Sequence, residues 1–149
     1  MFEVNLPAFN HKIRTVNGKN QIFDSLRRKY VALTPEEWVR QHVVHFLIAD
    51  KGYPSERIVN EAQIKLNGLV RRCDSVLYDK SLKPVVVMEY KAPTVVINQS
   101  VFEQVAAYNW ALRADYLLVS NGLTHYCCRF DYEQHRVVFL DDIPDYSTL

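Results

Sequence analysis

The chain has 149 residues, of which 48% are hydrophobic and 23% charged, with a formal net charge of +1. That length suits one domain with its own buried core, read here as residues 1–149. The near-zero charge excludes binding to polyanions by bulk charge alone, no apolar run approaches a membrane span, and three cysteines without a C-x-x-C spacing argue against a structural zinc site.

The first twelve residues form a leader with Glu3, Asn5 and Pro7 where a secretory signal would be apolar. With an odd cysteine count, this reads as a cytoplasmic protein with free thiols. Lys12–Val16 and Gln21–Phe23 flank Asn17-Gly18, a two-residue hairpin signal. Asp24–Tyr30 reads as a basic, solvated connecting segment. Thr34 is a good N-cap, Pro35 suits the first helical position, and Glu36-Glu37 complement the helix dipole. That helix should run to about Ala49 and end near Gly52, with Val39, Val43, Phe46 and Leu47 as its buried stripe. Glu36 is expected on the inner side within reach of Arg40, Glu37 further outward, and His42 and His45 as ordinary helix residues.

Arg57–Leu66 alternates in the manner of a strand, and Asn67-Gly68 turns it into a second strand, Leu69–Tyr78. The polar Asp79–Lys83 loop, closed by Pro84, leads into a third, Pro84–Ala92, so three antiparallel strands follow one another. Asn98 should cap a helix reaching about Arg113, with Val101, Gln104, Val105, Tyr108 and Leu112 facing the sheet. Asp115–Ser120 follows a helix and should pair parallel to the core strand. His125–Phe130 and Gln134–Leu140 make a last hairpin before the polar tail from Asp141 to Asp145. The order of elements gives an α/β (α+β) protein with a mixed central sheet flanked by helices and an N-terminal hairpin.

The chemistry concentrates in Val85-Val86-Val87-Met88-Glu89-Tyr90-Lys91-Ala92-Pro93. An apolar strand ends in a carboxylate and an ammonium on one face, about 7 Å apart at their Cα atoms. If the preceding hairpin is centred between Ser81 and Leu82, Asp74 lies opposite Glu89, with Cβ atoms about 5 Å apart. Two carboxylates that close repel unless a cation lies between them or one is protonated. A divalent metal held by Asp74 and Glu89, with Lys91 beside it, resolves the conflict. A register slip of one residue would turn Asp74 to the other face.

Asp74 followed by Glu89-x-Lys91 resembles the core of the PD-(D/E)XK nuclease superfamily. Leu33-Thr34-Pro35-Glu36-Glu37-Trp38-Val39-Arg40-Gln41 and Asn121-Gly122-Leu123-Thr124-His125-Tyr126-Cys127-Cys128 look like one branch of it, the N-terminal nuclease domain of type I restriction enzyme R proteins. Cys73 stands where the superfamily's name has proline. The resemblance implies a restriction-endonuclease-like fold, Mg2+ (or Mn2+) as cofactor, DNA as partner, and hydrolysis of phosphodiester bonds. Carried over by residue, it makes Asp74, Glu89, Lys91, Glu36, Gln104 and Tyr108 the catalytic set. Asp74, Glu89, the Tyr90 carbonyl and Glu36 would hold metal. Gln104 and Tyr108 match the Q-x-x-x-Y motif of RecB-like nucleases. No G-x-x-x-x-G-K-[ST] loop is present, so ATP-driven translocation would need a motor or specificity protein in trans. The alternative is a non-catalytic module that uses the same scaffold to bind nucleic acid or a partner. A Schiff-base lysine fits poorly, because Glu89 would raise the amine's pKa.

Overall fold

The computed structural model describes residues 2–149. Three strands form a small antiparallel sheet in chain order: β1 (Ile13–Val16), β2 (Lys19–Asp24) and β3 (Lys29–Ala32). Six more form the central sheet, also in chain order: β4 (Ile58–Leu66), β5 (Leu69–Tyr78), β6 (Pro84–Tyr90), β7 (Tyr116–Ser120), β8 (His125–Asp131) and β9 (Arg136–Leu140). Every neighbouring pair is antiparallel except β6–β7, which is parallel. The parallel pair exists because helix α2 (Gln99–Asn109) carries the chain back between the two strands.

The helices cover opposite faces. Along β6, Val87 packs with Phe102 and Ala106 of α2, whereas Val86, Met88 and Tyr90 pack with Val39, Val43 and Leu47 of α1 (Pro35–Asp50). This alternation is the period-two geometry of a strand buried on both sides, which is why Val85–Met88 is continuously apolar. Helix α1 begins as its sequence dictates, with Thr34 Oγ1 accepting the Glu37 N–H at 3.0 Å and Pro35 in the first turn. Asn98 caps α2 in the same way, its Oδ1 accepting the Val101 N–H at 2.9 Å. No helix among the described residues is long and apolar enough to cross a membrane.

Two local expectations are corrected. The segment after Asp24 is not a plain connector, because Lys29–Ala32 pairs with β2 as a third strand. The turn is closed by Asp24, whose side chain accepts the Leu26 N–H and whose carbonyl accepts the Arg28 N–H, with Arg28 at φ 55°. It contains no glycine or proline, and its turn signal is Asp24-Ser25 alone, with Asp24 bonding the backbone two residues on. Helix α2 stops at Asn109, and a 3-10 turn over Trp110–Leu112 follows, ended by Arg113 in the left-handed region.

Candidate metal-binding cleft

Ser75 pairs with Met88, Val76 with Val87 and Leu77 with Val86. The same ladder extended by one residue sets Asp74 opposite Glu89, on the α2 face. An irregularity at Leu77/Tyr78 absorbs the loop, and Asp79 Oδ1 closes it by accepting the N–H groups of Ser81 and Lys83. Asp74 Oδ2 accepts the Tyr90 N–H at 2.8 Å. A strand residue's N–H and C=O point to the same edge, so the Tyr90 carbonyl also faces β5. Burial pushes the Glu89 carboxyl up to about 8, and Asp74, within hydrogen-bond reach, pushes it the same way; Lys91 and Arg71 only partly offset this.

Glu89 and Lys91 open into a cleft of about 240 Å³ whose other walls are Gln104, Val105, Tyr108 and Asn109 of α2. The Lys91 N–H donates to the Ser120 carbonyl at 2.9 Å, which continues the β6–β7 pairing past the end of the strand. Gln104 and Tyr108 are brought to the cleft, but as rim residues. The buried face of α2 is Phe102, Ala106 and Asn109, and Tyr108 is 62% exposed. The two polar residues sit at the edge of the stripe, where water satisfies them without buried partners. Tyr108 is held by Arg71 of β5, whose guanidinium lies 3.5 Å from the ring centroid and donates to the Tyr108 carbonyl. Asn109 was not singled out from the sequence. Its Nδ2 donates to the Val105 carbonyl, while its buried Oδ1 has no partner among the described residues. Its position one residue past Tyr108 is the only signal that pointed to it.

Glu36 does not reach this site. It is exposed, and Glu37 is the buried residue, the reverse of the expected orientation. The cause is tertiary: the partners lie on the Glu37 side. Glu37 Oε1 accepts from Arg27 Nη2 at 2.8 Å and from Arg40 Nη2 at 2.9 Å, and Oε2 accepts from Gln41 at 3.1 Å. Arg40 also donates to Glu61 at 2.7 Å and, through Nη1, to the main-chain carbonyl of Asp74 at 2.6 Å. Arg27 pairs with Asp24, which also accepts from Asn60. Burial lowers the pKa of both guanidinium groups, but the surrounding carboxylates more than reverse that and hold them raised. Burial raises the Asp24 carboxyl, and hydrogen bonds led by Arg27 and Asn60 bring it below its ordinary value. Glu61 sits mid-strand at φ 55°, between the pairs Asn60–Ser75 and Ala62–Cys73 and hence opposite Asp74. Such a backbone is strained for a side-chain-bearing residue, by about 1–3 kcal/mol.

The expected crowd of three carboxylates therefore reduces to two. Among the described residues no group of three or more His, Cys, Asp or Glu side chains is set to hold a metal ion. The donor set still fits magnesium or manganese: two facing carboxylates and a main-chain carbonyl at the same edge are all oxygen, and magnesium is commonly bound by one or two carboxylates with water completing its shell. The raised Glu89 carboxyl is the physical mark of a site short of positive charge.

The sequence matches the family model described as the type I restriction enzyme R protein N terminus over residues 35–144. The chain belongs to that family. Among solved structures it is similar to a fragment assigned as an HsdR subunit of a type I restriction enzyme from Vibrio vulnificus YJ016, with 21% identity and a TM-score of 0.51. The match covers 75% of this chain and 24% of that one, so this family member spans about a quarter of the fragment's length and shares its fold. No curated protein matches the sequence.

Proposed function

We propose that this chain is a divalent-metal-dependent nuclease domain that hydrolyses phosphodiester bonds in DNA. One observation carries the reading: Asp74 faces Glu89 across adjacent strands, and Glu89 shares a single cleft with Lys91, Gln104 and Tyr108. Membership in a family of restriction-enzyme R protein N termini supports it.

Asp74, Glu89 and the Tyr90 carbonyl would hold magnesium or manganese. The ion, when bound, lowers the pKa of a water and neutralises charge growing on the phosphate. Asp74 is fixed for this from two sides, by the Tyr90 N–H on its carboxylate and by Arg40 on its carbonyl. Lys91 donates to a phosphate oxygen and stabilises the charge that develops there. Gln104 and Tyr108, at the rim, orient the backbone of the incoming strand. Glu36 has no part in this scheme.

Nicking of supercoiled plasmid in magnesium tests the proposal, with a gel shift in EDTA alongside. Lys91→Ala should slow cleavage by about 100-fold or more, as loss of a charge-stabilising donor does, with the melting temperature unchanged. Cleavage by that variant at the wild-type rate would falsify the assignment. Binding in EDTA with no cleavage by the wild type would favour the non-catalytic module.

A further inference from the structure

The β1–β3 sheet precedes the segment that the family model matches and lines none of the cleft. Residues 12–29 nonetheless contain six of the chain's 18 Lys and Arg and one of its 17 Asp and Glu. The rest of the chain holds 12 cations against 16 acids, a net charge of −4. The single acid, Asp24, is buried and already paired with Arg27. Strand alternation sorts the remainder. Ile22 and Asp24 point into the protein, both buried. Gln21 and Phe23 therefore point out, together with their partners Arg14 and Tyr30. Lys19 lies two residues before Gln21 on the same face, and Lys12 stands over the Phe23 ring at 5.7 Å. The outer face thus presents Lys12, Arg14 and Lys19 without an acid, and β1 is exposed at every position.

We propose that this outer face docks on the phosphate backbone of duplex DNA, an inference that rests on the reading of the chain as a DNA-acting domain. Charge complementarity carries it: a segment with six cations and one acid is joined to a body of net charge −4, so the favourable surface for a polyanion lies on this sheet. Duplex backbone is the fitting partner because the Arg14 guanidinium covers the Tyr30 ring at 3.9 Å, leaving that face closed to an unstacked base. Arg14 is also pre-oriented, its Nε donating to Gln21 Oε1 at 2.8 Å. Contacts of this kind are indifferent to sequence and give way to salt.

The test is fluorescence anisotropy of a labelled duplex in EDTA between about 50 and 200 mM salt, comparing wild type, the double variant Arg14→Ser/Lys19→Ser, and a control of equal charge change outside this face, Lys80→Ser/Lys83→Ser. The wild type should bind duplex with a steep salt slope. The double variant should lower the slope of log Kobs against log salt by about 1.8, two phosphate contacts at about 0.9 each. Lys80→Ser/Lys83→Ser, which removes two exposed cations of the β5–β6 loop, should bind as wild type does, and nicking at saturating DNA in magnesium should persist in the Arg14→Ser/Lys19→Ser variant, which separates loss of this surface from loss of cleavage. If the double variant fails to fold, Lys19→Ser alone reads the same effect at half the size. The proposal is overturned by wild-type affinity and slope in a folded variant. It is equally overturned if the wild type prefers single strands or anionic vesicles to duplex, or binds no duplex at low salt.

Discussion

The two faces of the central sheet handle charge in opposite ways within a few residues of each other. On the α1 side, Asp24, Arg27, Glu37, Arg40 and Glu61 alternate in sign, and each carboxylate meets a guanidinium at ion-pair distance. On the α2 side, Asp74 and Glu89 face each other with Lys91 and Arg71 too weak a counterweight to keep Glu89 acidic. Buried charge alone does not identify a functional site. A closed network carries its own countercharge, whereas a pair left short of it is where the proposed cation would sit. Arg40 joins the two, because the same guanidinium that closes the network holds the Asp74 main chain.

The comparison is broken most severely from the closed side. Glu37→Ala leaves Arg27 and Arg40 buried without their shared acceptor and should cost about 3–5 kcal/mol of stability. Urea unfolding reads this directly, and a cost under 1 kcal/mol would mean that water had replaced the carboxylate.

The open side should appear next, as a pH dependence. Glu89 rises from 4.5 to about 8 on folding, so the folded state binds its proton more tightly. The metal-free protein therefore loses stability from this group as pH climbs from 4.5 towards 8. His42, His45 and His125 are lowered by burial and act with the opposite sign. The difference between wild type and Glu89→Gln isolates the carboxyl: in EDTA, the variant's advantage in melting temperature should grow from pH 5 to pH 8. An advantage that shrinks would mean the pair is already neutralised.

Arg40→Lys sharpens the link between the faces. A lysine keeps the charge but cannot span Glu37, Glu61 and the Asp74 carbonyl together. Manganese affinity by calorimetry should fall by about 10- to 100-fold, the usual cost of losing support behind a ligand. Exchange of the Tyr90 amide, which donates to Asp74, should quicken even without metal. If both are unchanged, Arg40 stabilises α1 and nothing more.

The smallest effect belongs to Thr34→Ala, which removes the cap on the Glu37 N–H without removing any charged side chain. It should cost about 1 kcal/mol and leave DNA binding in EDTA unaltered. A change in binding there would tie the helix end to the DNA surface.

Much of this molecule was legible in its sequence because the deciding interactions are local. Asn17-Gly18 set a hairpin, and Thr34-Pro35 and Asn98 set helix starts; the register that turns Asp74 towards Glu89 needed in addition the irregularity at Leu77/Tyr78, because the Tyr78–Pro84 pair continued unshifted would set Asp74 opposite Met88. The resemblance to R protein N termini rested on strings of residues that form the same core. The tertiary structure decided what depends on a partner distant in the chain. Glu37 rather than Glu36 turns inward because Arg27, ten residues earlier, arrives on a turn marked only by Asp24-Ser25. Gln104 and Tyr108 sit at a rim because Phe102 and Ala106 claim the sheet. Periodicity fixes which residues share a face, but the direction in which that face looks is set by the surfaces that close over it.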